Sequence, residues 1–276
     1  MIRLSTFRGR MRDIDKNKLD FNQMNKMNFL KKYGFLFLLA ALIREISLPF
    51  FLNFFNEIGK HVWLLSELGR PGMPLQGAFK TWEIIDGILF ILAAPYLYTR
   101  YKRYSSKLAA GFGWLVALYG IGDCIMTALF DYSTNYFTSM TAFLHAFGSF
   151  LGSGALLLIN LFLLLLARKN QQSKTFVGII FMMICSVVAG VLVEVKLFSQ
   201  PLVSGILQCV MLDTLYLPLL VIAVKGTLLW IKKIWVSVKS YWWSHEVLWI
   251  GSFFILQLKE FWHKNGPYFW IRNRCV

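Results

Sequence analysis

Apolar residues fall along the chain in six long runs, at about 34–55, 80–98, 108–130, 140–167, 175–195 and 205–224. Each is close to the ~20 residues that carry a helix across ~30 Å of hydrocarbon at ~1.5 Å per residue. The pattern predicts an all-α integral membrane protein, a six-helix bundle over 34–225. Residues 1–33 are polar and basic with no apolar core, so they read as a cytoplasmic N-terminal segment and not as a cleavable signal. Residues 226–276 carry seven of the ten tryptophans interleaved with lysines, and their longest apolar run, 247–256, is too short for an ordinary span. They predict an amphipathic, interfacial C-terminal tail on the cytoplasmic face.

Composition agrees. The chain is 57% hydrophobic and 16% charged, with mean hydropathy +0.55, too apolar for a water-soluble domain of this length. The net charge of +15 would suggest nucleic acid if the cations were clustered on a soluble surface. They flank the runs instead. Lys and Arg number nine in 1–33, four in 99–107, three in 168–174 and eight after 224, against four (Lys60, Arg70, Lys80, Lys196) in the alternate segments. By the positive-inside rule both termini are cytoplasmic, in a cell membrane, and nucleic acid is excluded as a partner. The expected partners are membrane lipids and a small-molecule or lipid ligand; oligomeric state is left open. Cys124, Cys185, Cys209 and Cys275 are scattered, with no CxxC, and read as inert thiols. No metal and no cofactor is expected.

Polar residues inside the runs carry the candidate chemistry, because ionisable groups in hydrocarbon are costly. Arg44 and Glu45 sit mid-run; neighbours on a helix point about 100° apart, so at least one should pair with another helix. Glu83 and Asp86 are three apart and share a face. Asp86, Asp123, His145 and Asp213 fall ~8–14 Å below the outer boundary at ~1.5 Å per residue. Asp131, Glu83 and Glu194 lie nearer the rim. The expected site is an outward-facing polar cavity with a carboxylate-rich wall, one imidazole and Arg44 at its floor. Gly148 and Gly152 form a GxxxG, read as a helix-packing face.

The order Ser66-Glu67-Leu68-Gly69 with Pro71 and Pro74 after the first run, Gly87 in the second, a glycine-rich third run ending Leu129-Phe130-Asp131, and His145 early in the fourth resembles the bacterial six-helix family catalogued as domain of unknown function 998. The resemblance covers about residues 34–225. The family pattern has a proline between the Phe and the Asp, which this chain lacks. The resemblance implies a six-helix bundle in a prokaryotic cell membrane, with Ser66, Asp131 and His145 as matching polar positions, and implies no reaction.

Three functions fit these residues. One is binding or transport of a cation, a small polar molecule or a lipid headgroup in the cavity, for which acidic walls favour positive charge. Another is a non-enzymatic accessory protein that binds lipid or a partner helix through the GxxxG face and the tail. The third is an intramembrane hydrolase in which His145 with Asp86, Asp123 or Asp213 holds a metal or acts as a base. One histidine without an HxxxH or HExxH pair is thin for the last, and the sequence leans against an enzyme.

Overall fold

The computed structural model describes the backbone of residues 3–58, 63–133, 135, 137, 139–195 and 200–244, and within these the side chains of 25–236 except Glu194. The expectations for Lys60, the Glu194 side chain, Lys196 and the tail beyond Ser244 lie outside the described residues. Among those described, all regular structure is helical: α1 (Arg3–Phe51), α2 (Phe54–Glu57), a 3-10 turn (Leu65–Gly69), α3 (Gln76–Tyr101), α4 (Ser106–Tyr119), a π-helical segment (Gly120–Met126), α5 (Thr127–Leu129), α6 (Met140–Lys169), α7 (Ser173–Glu194) and α8 (Pro201–Ser244).

Five helical stretches are long and apolar enough to cross a membrane: Asn25–Glu57, Ser106–Leu129, Met140–Lys169, Ser173–Val193 and Pro201–Val236. The protein is therefore a membrane protein with several spans. The run at 80–98 lies in α3, which is not among the five; its first half carries Lys80, Glu83 and Asp86, which lower its hydropathy. Helix α7 is the least buried of the five. Only 17% of its apolar window is buried within the protein, and Phe181, Ile184, Val188 and Val191 are exposed, as hydrocarbon solvent permits.

Helix ends follow from local chemistry. Helix α1 continues back to Arg3 through the basic segment, and stops at Phe51, where Pro49 stands in the last turn and Asn53 takes a left-handed φ of 55°. Ser105 caps α4 by accepting from the Leu108 N–H (3.4 Å), and Ser139 caps α6 by accepting from the Ala142 N–H (3.1 Å). Arg168 and Lys169 close α6, where cations complement the helix dipole. Helix α8 runs on past 224 to Ser244 as one helix, since nothing between them but Gly226 disfavours helix. A compact unit ends at Gly226 and a second begins at Thr227.

Within the first unit α1 packs on α3, α3 on α4, α4 on α6 and α6 on α7. Helix α8 completes the set: Ser186 of α7 donates to Met211 O (2.8 Å), Asn160 of α6 donates to Leu215 O (3.1 Å), and Gly205 lies against Phe54. At the end that holds the α1–α3 connection, Leu48, Leu52, Phe54, Ile58, Leu68 and Phe79 form a buried apolar cluster, which seats the 3-10 turn on α1 and α3.

Two crossings are close enough to require glycine. A Cβ on Gly120 would stand 2.6 Å from the Gly87 carbonyl oxygen, bringing the π segment against α3. A Cβ on Gly122 would stand 2.9 Å from both Gly148 O and Gly152 N, bringing it against α6. The sequence predicts one continuous helix over 108–130. The structure widens it at Gly120–Met126, and such a widened turn re-aims the side chains it carries.

Candidate functional site

Between these two crossings the π segment presents Asp123 and Cys124, and α1, α3 and α6 present partners to them. Arg44 and Glu45, adjacent on α1, turn to different helices as their angular separation requires. The Arg44 guanidinium pairs with Asp86 on α3, donates to Trp82 O (3.3 Å) and lies over the Trp82 ring at 4.2 Å from its centroid. Asp86 is completely buried, and Arg44 keeps 28% of its side chain exposed. The cation is thus held by one carboxylate, one carbonyl and an aromatic face, a set suited to a guanidinium away from water.

Glu45 faces the other way. Its Oε2 accepts from the Tyr216 hydroxyl (3.4 Å), which also bonds the Tyr119 hydroxyl, and its Oε1 accepts from the Cys124 thiol (3.5 Å). Glu83 is buried beside them, so that one donor atom each from Glu45, Glu83 and Cys124 lie within 4.8 Å of one another. No basic side chain pairs with Glu45 or Glu83 among the described residues. Two unit charges that close repel by roughly 3–4 kcal/mol at an effective dielectric of ~20. Both carboxylates in ionised form therefore require a positive charge between them; without one, the pair keeps a shared proton. Asp123 is half-buried next to this group, against Gly152 and near Ser149 and Tyr119.

A second group of polar contacts lies at the connection end. Lys80 Nζ pairs with Asp131 (2.5 Å), and Gln76 donates to the same carboxylate (3.4 Å). Glu67, buried in the 3-10 turn, accepts from the Tyr132 hydroxyl (3.2 Å) and the Trp63 N–H (3.0 Å). Gln208 of α8 accepts from the Leu65 N–H (2.9 Å), tying that turn to a distant part of the chain. His145 is buried against this group. Its Nδ1 lies 2.9 Å from Phe130 O and 3.1 Å from Thr127 O, with the ring edge-on to Tyr132. Two carbonyls require a donor, so Nδ1 carries the proton, and the imidazole satisfies carbonyls left open where α5 ends.

The structure thus brings Arg44, Glu45, Glu83 and Asp86 together with Asp123 beside them, and places Asp131 and His145 at the connection end in other bonds. Ser66 is half-buried in the 3-10 turn, where its neighbour Glu67 takes the hydrogen bonds. Asp213 lies on α8 one turn before Tyr216, half-buried beside Cys209, and is not hydrogen-bonded in the cluster. Gly148 and Gly152 lie against Gly122, Met126 and Asp123. The sequence reads Cys124 as an inert thiol and Glu67 only as part of a turn motif, and does not single out Tyr119, Tyr216 or Trp82. Their types are ordinary in apolar helices and turns, and only their partners on other helices single them out.

These features define a helical membrane protein with several spans and a group of carboxylates gathered among its helices. The family described as "Protein of unknown function (DUF998)" matches residues 60–225, and the chain belongs to it. The matched region begins after α1, so Arg44 and Glu45 lie outside it while Glu83, Asp86, Asp123 and Cys124 lie within. No curated protein and no solved structure matches the chain.

Proposed function

We propose that the protein binds a cation among its membrane helices, in a pocket walled by Glu45, Glu83, Asp86 and Asp123, and does not catalyse a reaction. The observation that carries this reading is the charge count. Four carboxylates meet there with one guanidinium, and that guanidinium is committed to Asp86. A hydrocarbon-embedded protein does not keep such an excess without a use for it. The non-enzymatic reading rests on His145, whose Nδ1 is engaged by backbone carbonyls and not by a carboxylate. In this proposal α3 is the sixth span, its acidic face turned to α1 and the π segment, and the bundle sits in a cell membrane with both termini cytoplasmic. The α1–α3 and α5–α6 connections then face outside, and the pocket opens to that side, with Arg44 and Asp86 below Glu45 and Glu83.

Two measurements test it. Native and elemental mass spectrometry of the protein from mild detergent should find a retained cationic species in wild type that is lost in Glu83→Gln and Asp123→Asn. An empty wild type, with variants of identical mass profile, sinks the proposal. For orientation, Asn135→Cys and Lys102→Cys, each in a background without the native cysteines, are treated in intact cells with a membrane-impermeant thiol reagent. Position 135 should label and position 102 should not; the reverse pattern inverts the topology. The accessory reading keeps one support. Beyond Gly226, α8 exposes Ile231, Ile234 and Trp235 together with Lys232 and Lys233, a composition suited to the lipid headgroup region.

A further inference from the structure

From the donor set we infer that the cation taken by this pocket is a borderline-soft divalent metal of the zinc and cadmium class, held by Glu45, Glu83 and Cys124. The inference rests on the cation-binding reading and narrows it to one chemistry. Three helical elements deliver the donors: α1 brings Glu45, α3 brings Glu83, and the π segment brings Cys124. All three residues are buried, and their donor atoms lie within 4.8 Å of one another. Ligands around a tetrahedral zinc at about 2.0–2.3 Å stand roughly 3.3–3.8 Å apart. The three therefore converge on a metal with side-chain adjustments of about 1 Å.

Hydrogen bonding makes the same point independently. The Cys124 thiol has one proton and faces two carboxylates, Glu45 and Glu83. It cannot satisfy both. Asp86 stands three residues from Glu83 on the same face of α3. It is completely buried, and its Oδ2 makes no hydrogen bond, with the unpaired Trp82 indole N–H beside the carboxylate. A buried carboxylate oxygen without a donor, one turn from two carboxylates that share a single thiol donor and have no basic partner among the described residues, marks a place for positive charge. A metal ion bound by the thiolate and two carboxylates supplies that charge, with Asp86 Oδ2 as an outer partner. On entry the metal displaces the thiol proton and any proton shared by the carboxylates, and these protons leave to solvent.

The thiol sets the selectivity. A purely carboxylate site suits magnesium or calcium, whereas one thiolate among carboxylates favours zinc or cadmium. The surrounding packing supports a fixed geometry. Gly87 lets the π segment approach α3 until its own Cβ would stand 3.1 Å from Cys124 Cβ, and the Tyr119–Tyr216 pair holds Glu45 from the α8 side.

The test is a cadmium titration of the full chain in mild detergent. It is followed by the sulfur-to-cadmium ultraviolet charge-transfer band and by elemental analysis after desalting. Wild type should bind one cadmium ion with the band present, zinc should displace it, and magnesium in large excess should not. Cys124→Ser should lose the band although Cys185, Cys209 and Cys275 remain, and Glu83→Gln should weaken binding by at least about tenfold while keeping the thiol. Cys185→Ser, at a half-buried thiol away from the group, should behave as wild type. Size exclusion of each variant shows that the fold is kept; Glu83→Gln reads the site even if Cys124→Ser fails to fold. A band that persists in Cys124→Ser, unchanged affinity in Glu83→Gln, or no cadmium bound by wild type overturns the metal assignment. If wild type takes no cadmium yet retains another cation that Glu83→Gln loses, the metal fails and the cation pocket stands.

Discussion

Arg44→Met is expected to lower the stability of the detergent-solubilised protein by about 3–5 kcal/mol, the range for removing one partner of a buried ion pair. The guanidinium is the partner of Asp86 Oδ1, and Oδ2 already has none, so the variant leaves a carboxylate with neither oxygen bonded in the protein interior. It also removes the cation from the Trp82 ring and the donor from Trp82 O. Thermal unfolding followed by tryptophan fluorescence checks this. The discriminating variant is the double substitution Arg44→Met with Asp86→Leu, which exchanges the pair for two apolar groups of similar bulk and should recover most of the loss. If the double variant is as unstable as the single, the cost lies in the packing of Arg44 and not in the stranded carboxylate.

Gly122→Val should separate the π segment from α6. The added Cβ would meet Gly148 O and Gly152 N at 2.9 Å each, and these are backbone atoms that cannot rotate out of the way. Overpacking of this kind costs about 1–3 kcal/mol and more where the backbone cannot yield. Because Gly122 immediately precedes Asp123 and Cys124, the variant should also lose the cadmium charge-transfer band. Gly154→Val is the matched control on α6. Nothing lies within 4 Å of a Cβ there, so its melting temperature should stay near wild type. Equal destabilisation of the two would mean that helix propensity, and not interhelical approach, dominates.

The contrast between these glycines shows how far a linear pattern reaches. Gly148 and Gly152 stand out in the sequence as a small-residue face, yet the element they admit, Gly122 with Asp123, carries no mark that pairs it with them. Arg44 and Glu45 are similar. Their adjacency dictates that they point apart, while the identities of Asp86 on one side and Tyr216 and Cys124 on the other follow from which helices stand there. His145 stands out as an ionisable residue in an apolar run, but its partners are the Thr127 and Phe130 carbonyls, groups that every residue has. Glu67 is the opposite case: a glutamate in a polar turn looks solvated until the fold buries it.

What the sequence determines by itself is set by solvent. Hydrocarbon demands long apolar runs with satisfied backbones, so the apolar core of each helix can be read from residue type alone, and so can the basic flanks, while α1 and α8 continue beyond their apolar runs to Arg3 and Ser244. What only the tertiary structure decides is which polar groups meet. Within a bundle a side chain's neighbours come from helices tens to hundreds of residues away, as with Glu45 and Tyr216, and their choice depends on angular position, helix crossings and the extra residue in the π turn. Each shifts a side chain by only a few ångströms, and at hydrogen-bond range that distance decides whether carboxylates form a site or merely share a depth.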